Sequence, residues 1–322
     1  MIRDLYPSDF LYLLFHREPA LSNEAGSCIF WDEEKASRTA YAPFLRQWLV
    51  PNERRFTWVC KDGNLIQALI SAKERASPLS WEIDYFLLPQ KGAKNLQFTD
   101  DISRGLLETV AIHAGMRGVR KVFFRSFSSN PFLDVMRSSN FKAYLNEYLF
   151  RAERLKLKTE RHRSSEPSGE EGWIFRPRHP ADDDALYRLL FNMQPAAIKN
   201  VECMNMREWL ETREKSCFGE REMVLEKGNS IAGWLSMKDG ADWGHFRVKA
   251  YAGEKDNLER IFLIAVNFLR NKKYVYCTVR DYQEELKGLV AEKGFEKKEE
   301  FALFYKEISI TEKKPMLVSQ QV

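Results

Sequence analysis

A chain of 322 residues, 44% hydrophobic and 30% charged, is long enough for two domains and too apolar to remain unfolded. Fifty basic residues face 46 acidic ones, and one run holds the whole excess: Arg151–Arg163 carries six basic and two acidic side chains, leaving 44 against 44 elsewhere. That balance speaks against a molecule-wide basic field, and so against nucleic acid as a partner; the run reads as a solvated linker.

Five cysteines (Cys28, Cys60, Cys203, Cys217, Cys277) are scattered, with no pair at metal or redox spacing. Reduced thiols in a reducing compartment are expected. Five histidines (His16, His113, His162, His179, His245) form no ligand cluster, so no structural zinc is expected. The most apolar stretches, Phe10–Phe15 and Ile261–Leu269, fall well short of the ~20 residues a bilayer needs. Arg3, Asp4 and Asp9 precede any apolar run, unlike a signal peptide. These features point to a cytoplasmic protein with no membrane partner.

In chain order, the first half opens with Arg3-x-x-x-Pro7-x-Asp9 and an apolar helical stretch, Phe10–Phe15. Val59–Ile66 reads as two strands joined at Gly63-Asn64, residues that tolerate the positive φ of a tight turn. Trp81–Leu88 is dense in aromatic and β-favouring residues and reads as a central strand. Its Glu82 and Asp84 alternate, which predicts one shared face. Asp100-Asp101 then opens a helix whose Leu106, Leu107, Val110, Ala111 and Ala114 form one stripe, with Gly118 as its stop. Val119–Phe124 is a buried strand, Pro131–Arg137 a short helix and Phe141–Arg151 a last hairpin.

The second half runs through the same wording. Arg176, Pro180 and Asp182 repeat Arg3, Pro7 and Asp9. Val224–Ile231, turning at Gly228-Asn229, repeats the hairpin. Strand His245–Tyr251, helix Asp256–Arg270, strand Tyr274–Val279, helix Tyr282–Glu292 and strand Phe301–Tyr305 follow, and Lys293-Gly294-Phe295 answers Ser139-Asn140-Phe141. Three matches in order predict a duplication. It divides the chain into a first domain at 1–152, a charged, Ser-rich linker at 153–171, a second domain at 172–310 and a loose tail at 311–322. Strands alternating with helices make each an α/β unit.

The paired Arg-x-x-x-Pro-x-Asp openings, the Gly-Asn hairpins, Leu106-Leu107-Glu108 leading through Arg117-Gly118-Val119 to Val122-Phe123-Phe124, and the Gly294-Phe295 ending resemble the GCN5-related N-acetyltransferase (GNAT) superfamily. The resemblance covers both halves. It implies two tandem GNAT-like domains, each a mixed twisted sheet with helices on both faces. It also implies acetyl-CoA as cosubstrate, wedged between two splayed parallel strands with its pyrophosphate at the next helix start, and an acceptor that is a small-molecule or peptide amine. On this sequence it would place the cofactor at Leu87 and Leu88 and at Ser103, Arg104 and Gly105. Glu82 and Asp84 would be the candidate bases, and the first copy, with the closer helix wording, the favoured one.

The sequence also departs from the family pattern. The phosphate loop's Arg/Gln and glycine positions hold Phe98, Asp101 and Ser103, and in the second copy Tyr251, Glu254 and Asp256. Carboxylates thus stand where a pyrophosphate should rest, unless Lys91, Lys94 or Arg104, or in the second copy Lys255 or Arg260, compensates. The acidic Tyr is replaced by Met136 and Val290, with Tyr144, Tyr148 and Tyr282 as substitutes that spacing does not rank. His245 holds the place of a base in the second copy. Two alternatives stay open: a non-catalytic binding module that has lost the pyrophosphate site, and a transferase using another carrier, such as aminoacyl-tRNA, supported only by the basic run.

Overall fold

The computed structural model describes residues 1–9, 21–23, 25, 54–63, 65–89, 96–153, 173–202, 204–214, 219–228, 230–251 and 255–309. Most of the expected linker, the tail, Phe10–Phe15, Lys91, Lys94 and Glu254 lie outside them.

Among the described residues thirteen strands join in one sheet: β1 (Ile2–Asp4), β2 (Leu21–Asn23), β3 (Arg55–Asp62), β4 (Leu65–Glu74), β5 (Ser80–Pro89), β6 (Lys121–Phe127), β7 (Lys142–Glu153), β8 (Trp173–Pro177), β9 (Arg221–Lys227), β10 (Ser230–Asp239), β11 (Trp243–Ala250), β12 (Tyr274–Arg280) and β13 (Glu296–Glu307). The helices are α1 (Leu96–Met116), α2 (Leu133–Ser138), α3 (Asp183–Met193), α4 (Ala196–Glu202), α5 (Met206–Thr212), α6 (Lys255–Phe268) and α7 (Glu284–Glu292).

The strand path is β1-β3-β4-β5-β6-β13-β7-β12-β11-β10-β9-β8, with β2 off it on β5. Read from either end, the path passes the same five elements of one copy and then the last strand of the other. The copies exchange their final strands. Phe304 of β13 faces Phe124 of β6, and Phe150 of β7 faces Cys277 of β12; β13 and β7 then pair antiparallel at the centre. Packing follows the exchange. Ala302 and Phe304 belong to the core around Trp58, Phe86 and Leu106, whereas Phe150 and Ala152 belong to the core around Phe246, Phe262 and Phe295. In the first copy the expected hairpin at Phe141–Arg151 is one 12-residue strand, and in the second the expected strand at Phe301–Tyr305 is the end of another 12-residue strand; pairing on both sides leaves no place for a turn.

The repeated words have repeated physical roles. Gly63 and Gly228 take φ of 58° and 60° at their hairpin turns, and Asn140 and Gly294 both take positive φ, 63° and 90°, after α2 and α7. The Arg-x-x-x-Pro-x-Asp openings are clasps. Arg3 donates to Asp9 at 2.7 and 2.8 Å, and Arg176 to Asp182 at 2.8 Å twice. The amides of Tyr6 and His179 cap the same carboxylates. Each clasp ties an edge strand to the helical turn after it.

Burial pushes the Asp9 carboxyl up, but bonds from Arg3, the Tyr6 amide and Lys61 outweigh it and hold the pKa at about 2. The group is lowered on folding, so its contribution is present above about pH 4 and is lost as pH falls toward 2. Asp9→Asn is expected to lose about 2 kcal/mol at neutral pH. Urea melts at stepped pH should show the variant less acid-sensitive than the native chain between pH 4 and 2; parallel curves would refute the role.

One expected boundary is corrected. The helix begins at Leu96, not at Asp100-Asp101, which fall in its second turn. Those two acids are therefore not its N-cap. Leu106, Leu107, Val110 and Ala114 are fully buried, as the stripe predicts.

Candidate functional site

Two places in the sheet have the geometry of a wedge. Strands β5 and β6 run parallel and pair only from Ser80 to Ile83, while β5 continues to Pro89. Strands β11 and β12 pair only from Trp243 to Phe246, while β11 continues to Ala250. Beyond those points each pair splays and leaves backbone edges open to a third extended chain.

The first wedge is filled by the protein itself. β2 pairs antiparallel with Leu87, Leu88 and Pro89, and Ala25 bridges to Ser126 of β6. The edge expected to receive the cofactor at Leu87 and Leu88 is thus already paired. Ser103 gives its hydroxyl to the Thr99 carbonyl at 2.7 Å inside α1. A Cβ on Gly105 would stand 2.8 Å from Ile2 Cδ1, so that glycine admits β1 against the helix. Arg104 is exposed. In the first wedge the expected cofactor edge is thus occupied by β2 and Ala25 of the chain itself.

The candidate bases are buried, Glu82 at 7% and Asp84 at 1% exposure. Asp84 is the extra residue of a β-bulge opposite Ser71 and Ala72 and meets Arg55 at 2.5 Å. Burial raises its pKa against the pull of Arg55. A carboxylate locked to a buried guanidinium holds strands together and is poorly placed to collect a proton from a substrate.

In the second wedge no described strand enters. Gln283 spans it instead. Its Nε2 donates to the Val248 carbonyl of β11 at 3.0 Å, and its Oε1 accepts from the Arg280 amide of β12 at 3.0 Å. A side-chain amide thus holds the open edges at the place where a ligand amide would pair. A rotatable side chain can leave; a main-chain strand such as β2 cannot do so without unpairing.

Beside this wedge lies a pocket with about 700 Å³ of empty space counted out to solvent, between β9–β12 and helices α3–α5. Arg247 and Lys249 reach it from β11 and Arg280 from β12. Arg280 is held by Glu202 at 2.8 and 3.2 Å and by Glu147, a residue of the first copy, at 3.1 Å. Arg247 is bound to Glu214 at 2.6 Å and Glu220 at 2.9 Å. Burial raises the pKa of Glu202, but Arg280 outweighs it and holds the carboxylate ionised. Lys249 lies 5.1 Å from the Trp234 ring centroid. Burial, then the Arg280 charge, brings its pKa down to about 7, so a neutral amine is accessible near pH 7.

The remaining expected residues fall around this region. His245 Nε2 lies 2.8 Å from Thr278 Oγ1, and burial keeps the ring neutral. Tyr144 donates to Glu202 at 2.9 Å, while Tyr148 lies beneath Lys287 and Lys297. Tyr282 follows Arg280 and precedes Gln283, and its pKa is raised by burial. Met136 and Val290 are core. Sequence reasoning noticed His245 but missed Arg247 and Lys249. The signal was there: three cationic or titratable residues alternate with Phe246, Val248 and Ala250 on a predicted central strand.

No protein-family model matches the sequence, and no curated protein does. Solved structures match in fold. A GCN5-related N-acetyltransferase from Sphaerobacter thermophilus aligns over 96% of this chain and 95% of its own, at 15% identity and TM-score 0.50. A putative acetyltransferase from Pyrococcus horikoshii aligns over 96% and 90%, at 13% identity and TM-score 0.51. A tandem GNAT protein from the clavulanic acid biosynthesis pathway aligns over 80% and 84%, at 12% identity and TM-score 0.50. Such identities speak for fold alone, and together with the two splayed wedges they show that this chain carries the GNAT fold twice, in tandem.

Proposed function

We propose that the chain is an acyl-CoA-dependent N-acyltransferase acting on a small-molecule or peptide amine, and that the second half is its working copy. The observation that carries this reading is the second wedge, spanned among the described residues by Gln283 and opening beside a pocket that presents Lys249. Acyl-CoA would supply the activated thioester. The open edges of Val248 and Arg280 would receive its extended arm once Gln283 turns away. Lys249, neutral near pH 7, would take the proton from the attacking amine, and Tyr282 would return one to the departing thiolate. The pocket walls would hold the amine desolvated and aligned. Of the helix start that would meet the pyrophosphate, residues 252–254 lie outside the described residues.

The test is calorimetry with acetyl-CoA on the full chain. The native protein is expected to bind, and Gln283→Ala to bind about 30-fold tighter, because two side-chain hydrogen bonds of about 1 kcal/mol each no longer have to be displaced. No heat from either protein at millimolar ligand would refute the reading. A non-catalytic binding module is the second reading, favoured by β2 in one wedge and Gln283 in the other; protein purified with CoA bound would contradict it. No described helix is long and apolar enough to cross a membrane.

A further inference from the structure

The pocket beside the second wedge is not made by the second copy alone. Arg75, at the end of β4, enters from the first copy and lines it together with Arg213, just past α5. Their main chains are joined there, since the Ala76 amide donates to the Arg213 carbonyl at 3.1 Å. Each meets its nearest carboxylate only in a long contact. Arg75 reaches Glu214 only at 3.5 Å, and Arg213 reaches Asp183 only at 3.5 Å.

The nearby carboxylates are already engaged more closely by other arginines. Glu214 is bound by Arg247 and Arg125 at 2.6 and 2.7 Å, and Asp183 by Arg178. Arg75 is 6% exposed, its guanidinium lies 4.1 Å from the Phe123 ring centroid, and its Nε and Nη1 have no hydrogen-bond partner among the described residues. A buried guanidinium with two unbonded N–H groups, such as that of Arg75, is costly unless an anion or other acceptor meets it. The other walls of the pocket include Leu186, Leu190, Trp209 and Trp234. They suit an apolar body.

We infer that the acceptor is a primary amine that also carries a carboxylate and an apolar side chain, an amino-acid-like molecule whose carboxylate is shared by Arg75 of the first copy and Arg213 of the second. A guanidinium offers a carboxylate planar, paired donors. The first copy then supplies part of the second copy's acceptor site. The amine in this description rests on the acyl-transfer reading; the carboxylate does not.

The experiment is calorimetry on the full chain, without acyl-CoA. The probes are N-acetyl-L-phenylalanine, its uncharged counterpart N-acetyl-L-phenylalaninamide, and inorganic phosphate. The acid is expected to bind at least 10-fold more tightly than the amide. Arg75→Gln and Arg213→Gln are each expected to abolish most of that difference. Arg213 has a 35% exposed side chain and serves if Arg75→Gln does not fold. Equal binding of acid and amide, no binding of either, or phosphate binding without the acid would overturn the inference. Acid binding in a protein that ignores acetyl-CoA would sustain this inference and refute acyl transfer; the reverse pattern would do the opposite.

Discussion

Residues 1–163 and 164–322, expressed separately, should each fail to give a stable monomer, and co-expressed they should purify as one complex. The exchange of β7 and β13 is the reason. Without the second half, β6 loses β13 along its whole length and keeps only its short pairing with β5, and the first core loses Ala302 and Phe304, with Phe301 and Leu303 gone from the layer beside them. Without the first half, β12 and the second core lose Phe150 and Ala152. Each large buried side chain contributes on the order of 2 kcal/mol, so several together approach the 5–15 kcal/mol that holds a typical domain folded. The bared strands would also present long unpaired edges that template aggregation. Size-exclusion chromatography and thermal melts of each half, alone and mixed, read the outcome. Two monodisperse halves melting like the full chain would show that the exchange carries no stability.

Arg280→Met should be among the most damaging single substitutions. Arg280 is the cation shared by Glu147 and Glu202, both buried, and Glu147 belongs to the exchanged strand β7. Removing the guanidinium leaves Glu202 with Tyr144 and Gln194 but no close cation in its place. Breaking such a buried pair costs about 3–5 kcal/mol, or roughly 10 °C in Tm for a chain of this size. The loss has a pH signature. In the native protein Arg280 holds Glu202 below the usual carboxylate range against burial. In the variant burial is opposed only by Arg75, Lys249 and the bonds from Tyr144 and Gln194, so the folded-state pKa rises. The deficit should therefore be full at neutral pH and shrink as pH falls and Glu202 protonates. Combining Glu202→Gln with Arg280→Met should recover part of the loss at pH 7. A variant that melts within 2 °C of the native chain would mean that water or a moved side chain already compensates.

How much of this was legible in the residues varies with the range of the interaction. The repeat was, because its marks are local: a Gly at each hairpin turn, an Asn or Gly at positive φ after each short helix, an Arg and an Asp spaced to clasp. Each is a conformational or hydrogen-bonding demand met within a few residues, so it persists as wording. The alternation of Glu82 and Asp84 was legible too, but not its meaning, since Arg55, the partner that neutralises Asp84, lies 29 residues away. Gly105, expected among the cofactor residues, leaves the space that Ile2 needs.

The candidate site was mostly hidden, for the same reason. A strand's sequence states which residues alternate, not which edge it will occupy. That β2 fills the first wedge, that Gln283 spans the second and that Arg75 crosses into the other copy's pocket depend on pairings and distances set between remote segments. The exchange of β7 and β13 is the plainest case. The apolar residues of the two strands do not by themselves say which of β6 and β12 each completes. Residue types therefore determined two copies of one α/β unit; tertiary packing decided which copy each last strand completes, and with it which wedge stays accessible.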